Sequence, residues 1–482
     1  MLLNNLKLFD MTGMKLVMIV MMIGLSAMGQ TNVSGGIYSN TTWTAIGSPY
    51  IILDSVVVFP GITLTIQPGV TVKFKHLCGL EIRQSTINAI GTETDSVTFT
   101  ADTVSPIPGF WNSINLNGST NSVFNYCNFY YGNIALIAQQ SGTLSLKNSI
   151  FNSNQTGINA FSCSIDTCIF SNNILNGLDN LSNSTLTFCV IVNDSNGINQ
   201  MHNSSIQNCL IECNRSGIAG TSGGATVTNS IINYNSIGGV EGLTVNINNC
   251  IIDSNHIAVG GITSMANCEL MYNQLGFLWE TNCVLSNNRF EYDTLGVVDY
   301  AGYSTGSFVC NTFCNNVSYD FQLFPNSTIL NVQNNYWCTT DTTSIHAKIP
   351  DYYFNNMLPI AIFTPFYSTE CNNVGPVPFS VPNYISPCNS NSTSVSIINN
   401  KENTISLIPN PFTTTTTLTL QGTYNNPSLF IYNLLGQEVR SIPVGTNKQI
   451  TINREQLSSG MYFYKVMDEN KEILSIGKMI LE

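Results

Sequence analysis

The chain is 482 residues long, yet only 9% of them are charged, against about 25% in an average globular protein. Its formal charge of −12 and pI near 4.7 argue against a nucleic-acid partner or an anionic membrane surface. Polarity comes instead from Asn, Ser and Thr, the residues that build tight turns. At the N-terminus Lys15 precedes an apolar run over 16–25, and Ala27-Met28-Gly29 places small residues ahead of Gln30. This is the pattern of a cleavable export signal over 1–29. The run is too short for a transmembrane span, and no later stretch is apolar enough to cross a bilayer.

From residue 30 the chain alternates: Val56-Val58, Ile62-Leu64-Ile66 and Val70-Val72-Phe74, with Pro60-Gly61 and Pro68-Gly69 as punctuation. These are strands and turns. Trp43, Pro49 and Tyr50 come just before them, where the open end of a core needs a cap. Lys73, Lys75, His76 and Arg83 form a basic cluster. Lys73 and Lys75 alternate with inward Val72 and Phe74, so both face solvent. The plainer reading is a solvated face; the sharper one is a site for an anionic glycan through Lys73, Lys75 and Arg83.

Between about residues 126 and 316 the sequence repeats. Anchors at 149, 168, 189, 209, 230, 250 and 268 are separated by 19, 21, 20, 21, 20 and 18 residues. Cys or Ser occupies each anchor. An aliphatic residue stands three before it, a large apolar residue two after (Phe151, Phe170, Ile191, Ile211), and Asn or Asp five after (Asn154, Asn173, Asp194, Asn214). A glycine usually follows that, eight or nine after the anchor. A period near 20 with strand-like alternation means a solenoid of stacked short strands, each rung about 4.8 Å from the next. In such a stack the Asn column bonds from rung to rung, and the Gly column supplies positive φ. The aliphatics one after the anchor (Ile150, Ile169, Val190, Leu210, Ile231, Ile251) point outward by alternation. They form an apolar stripe that a loop, a second chain or a ligand must cover, unless the local pleat buries them.

The pattern Asn-Cys-x-Ile-x-x-Asn-x-x-Gly-Ile, as at 208–218, resembles the repeats of pectin-lyase-like right-handed parallel β-helix proteins over most of 50–365. That family contains lyases, hydrolases, epimerases and non-catalytic surface proteins. After residue 316 the period loosens. Asn334-Asn335-Tyr336-Trp337, Ile349-Pro350-Asp351 and Pro365-Phe366 resemble the closing segment of bacterial β-helix domains, with Cys338 where that segment often has Gly. Residues 371–404, rich in Asn, Ser, Pro and Val, read as a linker after a β-helix domain over 30–370. The last part, 405–482, holds Leu407-Ile408-Pro409-Asn410-Pro411-Phe412, then Leu429-Phe430-Ile431-Tyr432-Asn433-Leu434-Leu435-Gly436, and then Leu457-Ser458-Ser459-Gly460-Met461-Tyr462-Phe463-Tyr464. Alternating strands of this kind predict a small β-sandwich. Motif by motif the segment resembles the type A C-terminal sorting domain of the type IX secretion system. The resemblance implies partnership with that secretion machinery, attachment to surface lipopolysaccharide, and a place on the outer-membrane surface of a Gram-negative bacterium or outside the cell. The fold class is therefore all-β: a right-handed parallel β-helix followed by a small C-terminal β-sandwich.

Fifteen cysteines in an exported chain suggest disulfides. Cys168, Cys189, Cys209, Cys250 and Cys268 share the anchor slot with Ser, so they read as small packed residues. Cys371 and Cys388, bracketing the linker, are the better disulfide candidates; Cys310 and Cys314 are a second pair or two more stack members.

The resembled lyases use a basic residue as proton acceptor, usually beside a calcium held by Asp. Between residues 121 and 320 the basic residues are Lys147, Arg215 and Arg289; the two arginines, four rungs apart, are about 19 Å from each other. No calcium loop and no paired His ligands are present, so neither a metal nor a cofactor is expected. One constellation survives. Glu212 and Asp253 occupy one repeat position, Arg215 and His256 another, on the same two rungs. The carboxylates would stand about 9.5 Å apart, near the upper end for inverting glycoside hydrolysis; the bland reading is a solvated turn. Two functions follow: a non-catalytic adhesin or glycan-binding scaffold, with an extracellular polysaccharide as ligand, or a polysaccharide lyase or glycoside hydrolase. A cleft with converging charges would favour the second.

Overall fold

The computed structural model describes residues 29–384 and 388, apart from 120, 139–143, 243, 280–281, 300–305 and 326–328; towards the C-terminus it describes 405–408, 412–420, 427–432, 438–444, 449–455, 457–458, 460–467 and 473–481. The expected export signal, with its apolar run over 16–25, lies outside the described residues. Two compact units divide between Ser392 and Thr393.

The first unit is a parallel β-helix. Each turn contributes three short strands, exemplified by Ser205–Gln207, Leu210–Glu212 and Ser216–Ser222. Strands following the anchor form a first sheet, those after the next corner a second, and those before the anchor a third of thirteen strands. The first two sheets join at one end because Tyr50–Val58 runs through their shared corner and pairs with both columns. The pairings between turns are parallel, and along the first sheet they keep the repeat in register: Ile191 faces Ile211, Ile211 faces Ile232, and Ile232 faces Ile252. Period-2 alternation then lines the interior with one residue type per column. Phe129, Phe151 and Phe170 stack with ring centroids 4.3 and 5.0 Å apart.

The anchor column is fully buried, Cys209 and Cys250 included, and it does more than fill space. The Cys127 amide donates to Ser149 Oγ at 3.1 Å, the Cys209 amide to Ser230 Oγ at 3.1 Å, and the Cys189 amide to Cys209 Sγ at 3.4 Å. These anchors thus satisfy buried backbone donors of the preceding turn. The Asn column works likewise. Asn235 Nδ2 donates to Asn255 Oδ1 at 3.0 Å and to the Ile211 carbonyl at 3.3 Å, and the Asn235 amide donates to the same Asn255 oxygen at 2.9 Å.

The glycine column does not supply positive φ as expected. The left-handed conformation falls on the residue before the anchor (Asn208, 57°) and on the one four after it (Asn193, 58°). The glycines are needed for closeness: a Cβ on Gly197 would stand 2.6 Å from the Gly217 carbonyl oxygen, and one on Gly217 2.6 Å from that of Gly239.

Both ends of the core are closed by aromatics. Trp43 stacks on Tyr50 at 4.8 Å at one end, and Trp337 on Phe313 at 4.9 Å at the other. A short helix, Thr342–Ala347, follows Trp337; Asp341 caps it by accepting from the Thr343 and Ser344 amides, and Ile345 is buried beneath it. Cys338 takes the left-handed φ of 55° for which Gly was expected, and its side chain is bonded to Cys314.

The expected linker is different in its first part. Residues 371–384 return along the outer face of the first sheet as a strap. The Gly375 amide donates to the Asn287 carbonyl; Val377 exchanges two hydrogen bonds with the Asn249 side chain; Asn208 Nδ2 donates to the Ser380 carbonyl. Cys371 and Cys388 are both in disulfides, but not with each other: Cys371 pairs with Cys310 and Cys388 with Cys213, with Cα atoms 5.6 and 5.8 Å apart. Cys310 and Cys314 likewise have separate partners. The reason is direction, since the strap runs back down the cylinder and its two cysteines reach different rungs. The outward aliphatics are real, and the chain itself covers two of the six, while Ile150, Ile169, Ile231 and Ile251 stay partly exposed. Val190 and Leu210 are 3% and 7% exposed in a small cluster that Ile169, Ile231 and Tyr384 complete.

The second unit is a pair of antiparallel sheets. One holds Ile405–Ile408, Thr415–Leu420 and Gln449–Asn453; the other holds Glu438–Pro443, Ser428–Tyr432, Gly460–Met467 and Ile473–Leu481. Leu418, Ile452, Leu429, Ile431, Val466 and Met479 form its core.

Candidate functional site

The strap divides the constellation expected from the sequence. Glu212 and Asp253 do project from the outer face of the first sheet, three residues after their anchors. Glu212 is 3% exposed, near Tyr384, whose phenol is pushed up first by burial and then by the Glu212 and Asp194 charges. Asp253 is half-buried and accepts from the Met271 amide at 3.0 Å; burial, and then Glu269, push its carboxyl up to about 8. Arg215 and His256 are exposed at the corner between the first and second sheets.

Arg289 holds the start of the strap. It meets Glu370 at 3.0 Å, Glu269 at 3.3 Å and Glu291 at 3.5 Å, while Thr312 Oγ1 donates to Glu370 at 2.7 Å. The basic cluster near the N-terminus is largely neutralised in place. Lys75 pairs with Asp102 at 2.6 Å, and Arg83 with Glu81 at 2.7 Å while lying over the Phe59 ring. Lys73 stands on the outer face of its strand, half-buried. Among the described residues no three His, Cys, Asp or Glu side chains gather in a way that could hold a metal ion.

An open groove of about 760 Å³ runs along the corner between the first and second sheets. Two outward columns build it. The residues four after the anchor are Tyr234, Ser254, Tyr272 and Tyr292, all in the left-handed region with φ between 55° and 59°. Those six after the anchor are Ser236, His256, Gln274 and Thr294. The left-handed turn is imposed by the fold at this corner on every rung, and elsewhere Asn, Ser or Cys occupies it, with Tyr131 on the turn of Cys127 the exception. A bulky side chain is uncommon there, so three tyrosines in one stretch stand out against the repeat. Tyr272 and Tyr292 stack with centroids 5.4 Å apart and planes 10° from parallel, and are 60% and 44% exposed. Cys388, the last strap residue described, closes one end of the groove. No Asp, Glu, Lys or Arg lines it among the described residues.

Sequence reasoning found His256 but missed the tyrosines. The signal was present, since Tyr234, Tyr272 and Tyr292 share one repeat position, but tyrosine fits a strand pattern equally well and drew no notice.

Comparison with known proteins locates the C-terminal unit. Residues 406–482 match the secretion system C-terminal sorting domain. The chain thus carries a type IX sorting tail, which implies its secretion machinery as partner and a secreted or cell-surface destination. No curated protein matches the chain. Among solved structures it is similar to the A-module of the Azotobacter vinelandii mannuronan C-5 epimerase AlgE6, at 17% identity and a TM-score of 0.34, over 65% of this chain and 92% of that one. It is also similar to a mutant tailspike protein of E. coli bacteriophage HK620 in complex with a pentasaccharide, at 9% identity and a TM-score of 0.35, over 96% and 88%. No helix among the described residues is long and apolar enough to cross a membrane.

Proposed function

We propose that the protein is a non-catalytic glycan-binding scaffold, an adhesin displayed on the surface of a Gram-negative cell and held there through lipopolysaccharide once its sorting tail has acted. The observation that carries this reading is the corner groove, which combines three tyrosines with hydroxyl, amide and imidazole groups. Aromatic faces offer rigid apolar area at low entropic cost beside a polar edge. A sugar ring needs both, an apolar C–H face to stack and hydroxyls to hydrogen-bond. The enzyme reading draws less support. Glu212 and Asp253, the carboxylates it requires, lie towards the strap and line no part of the groove, and a hydrolase needs two carboxyl groups flanking one glycosidic bond.

The test is a glycan array on the full secreted chain beside Tyr272→Ala and Tyr292→Ala. Binding by the native chain that falls at least about tenfold in the variants supports the reading. Turnover of any bound polysaccharide, or binding indifferent to both tyrosines, overturns it. Display is tested separately by deleting residues 405–482, which should leave the protein in the periplasm.

A further inference from the structure

The tyrosine column has a gap, and the gap has the dimensions of a binding slot. Ser254 stands where its neighbours in the column have Tyr234 and Tyr272. The two tyrosines are therefore two rungs apart, about 9.6 Å at the usual spacing, with a hydroxymethyl group between them. Tyr272 rests against Tyr292 on one side at 5.4 Å, which fixes its ring, and its 60% exposure leaves the rest of it open. Ser236, His256 and Gln274 border the slot from the adjoining column. A single pyranose ring lying across the rungs fills such a space, with its C–H face against Tyr272 and its hydroxyls towards the serine, imidazole and amide groups.

Charge narrows the ligand further. The groove holds no ammonium or guanidinium among its lining residues, and Arg215 lies two rungs from Ser254. The chain as a whole carries −12. A uronate or sulfate placed over Ser254 would lose water without gaining a cation and would enter against the net field. Resting on the glycan-binding reading above, we infer that the slot over Ser254 is a subsite for one uncharged pyranose of a neutral polysaccharide.

The fold supplies its own test. Tyrosine is accommodated at this left-handed position on four rungs (Tyr131, Tyr234, Tyr272 and Tyr292), so Ser254→Tyr should fold, complete the ring column and fill the slot; Ser254→Ala leaves the slot open. Both are made in the full chain, checked by circular-dichroism melting, and titrated against neutral glucans, galactans, mannans and xylans beside polygalacturonate, alginate and sulfated glycans. Expected are neutral glycans bound by the native chain, a loss of at least about tenfold in Ser254→Tyr, and a smaller loss in Ser254→Ala, which removes one hydroxyl but leaves the space open. Binding of neutral glycans that Ser254→Tyr leaves intact, or a preference for the acidic panel, overturns the slot while the broader reading survives. No binding to either panel overturns both. Should Ser254→Tyr fail to fold, Tyr234→Ala takes its place: it removes one wall and must weaken neutral-glycan binding, and unchanged affinity then refutes the slot.

Discussion

The interior Asn ladder contains two carboxyl groups, and replacing one of them should alter how stability depends on pH. Asp293 Oδ1 accepts from the Asn273 amide at 2.8 Å and from Asn273 Nδ2 at 3.0 Å, as an Asn oxygen does elsewhere in the column. Its Oδ2 is buried without a partner, in the place where an Asn would donate from Nδ2. Burial pushes the carboxyl from its ordinary 3.8 up to about 8, and Asp194, in the same column, is shifted in the same direction for the same reason. A folded-state value above the unfolded one means that the native state holds the proton more tightly. The associated stability is complete below about pH 4 and is lost as pH rises towards 8. Each pH unit in that window is worth about 1.4 kcal/mol per group, so Asp293 alone should take on the order of 3 kcal/mol from the native chain between pH 5 and pH 7. Asp293→Asn does not titrate, and its Nδ2 can donate to the Leu270 carbonyl and to Asn316 Oδ1, as Asn255 does to Ile232 and Asn273 at 3.0 and 3.3 Å. The assay is the denaturant midpoint of the β-sheet signal at half-unit steps from pH 4 to pH 8, for the native chain and the variant. Other titrating groups, Asp253 and Asp320 among them, are common to both and largely cancel in the difference. The variant should draw level near pH 4 and become progressively more stable above it. Parallel curves, or a variant weaker at pH 8, would falsify the account of the ladder.

The remaining expectations concern the strap, the thiols and the glycine column. Unfolding in guanidinium without reductant should expose nine thiols, and full reduction fifteen, because six cysteines are paired; fifteen before reduction would remove the disulfides that hold the strap. Tyr384→Ala should uncover Val190 and Leu210, cost about 1–2 kcal/mol and raise the binding of an apolar fluorescent dye. A variant that binds no more dye than the native chain would show that the stripe needs no cover. Gly217→Ala places a Cβ 2.6 Å from the Gly239 carbonyl oxygen and should cost about 1–3 kcal/mol by overpacking; an unchanged melting curve would mean that the turns have room to part.

Much of the architecture was legible because it repeats. A Phe, Ile or Leu two residues after every anchor, in phase over seven turns, has no economical arrangement except one stacked column, and the Asn column five after the anchor sits inside for the same reason. What the glycines do was less legible. Gly217 and Asn208 are both plausible hosts for a positive φ, and only the distance between adjacent turns shows that Asn208 takes it while Gly217 supplies the space. The strap was not legible at all. Residues 371–384 have no period, and their register is set by Asn249 and Asn208, which lie 128 and 172 residues away from their strap partners. A trace did exist: Cys213 and Cys310 fall outside the anchor slot, at left-handed positions that other turns give most often to Asn. Cysteines displaced from their own column point to partners beyond the repeat.

This bears on where a site can form. A solenoid offers the same corner and the same outer face on every turn, so its regular geometry singles out no turn. Selection comes from what breaks the repeat. The strap lies along the outer face of the first sheet between the turns of Cys310 and Val190 and pins it at both ends through Cys371 and Cys388. Carboxylates on that face, Glu212 above all, are thereby drawn into a covered setting however well their spacing suits hydrolysis. The neighbouring corner stays open, and there the repeat is broken a second time, by Tyr234, Tyr272 and Tyr292 at a position that usually takes a smaller residue. One irregularity closes a face and the other furnishes the corner beside it, and Cys388 stands at the groove's end, where the two meet.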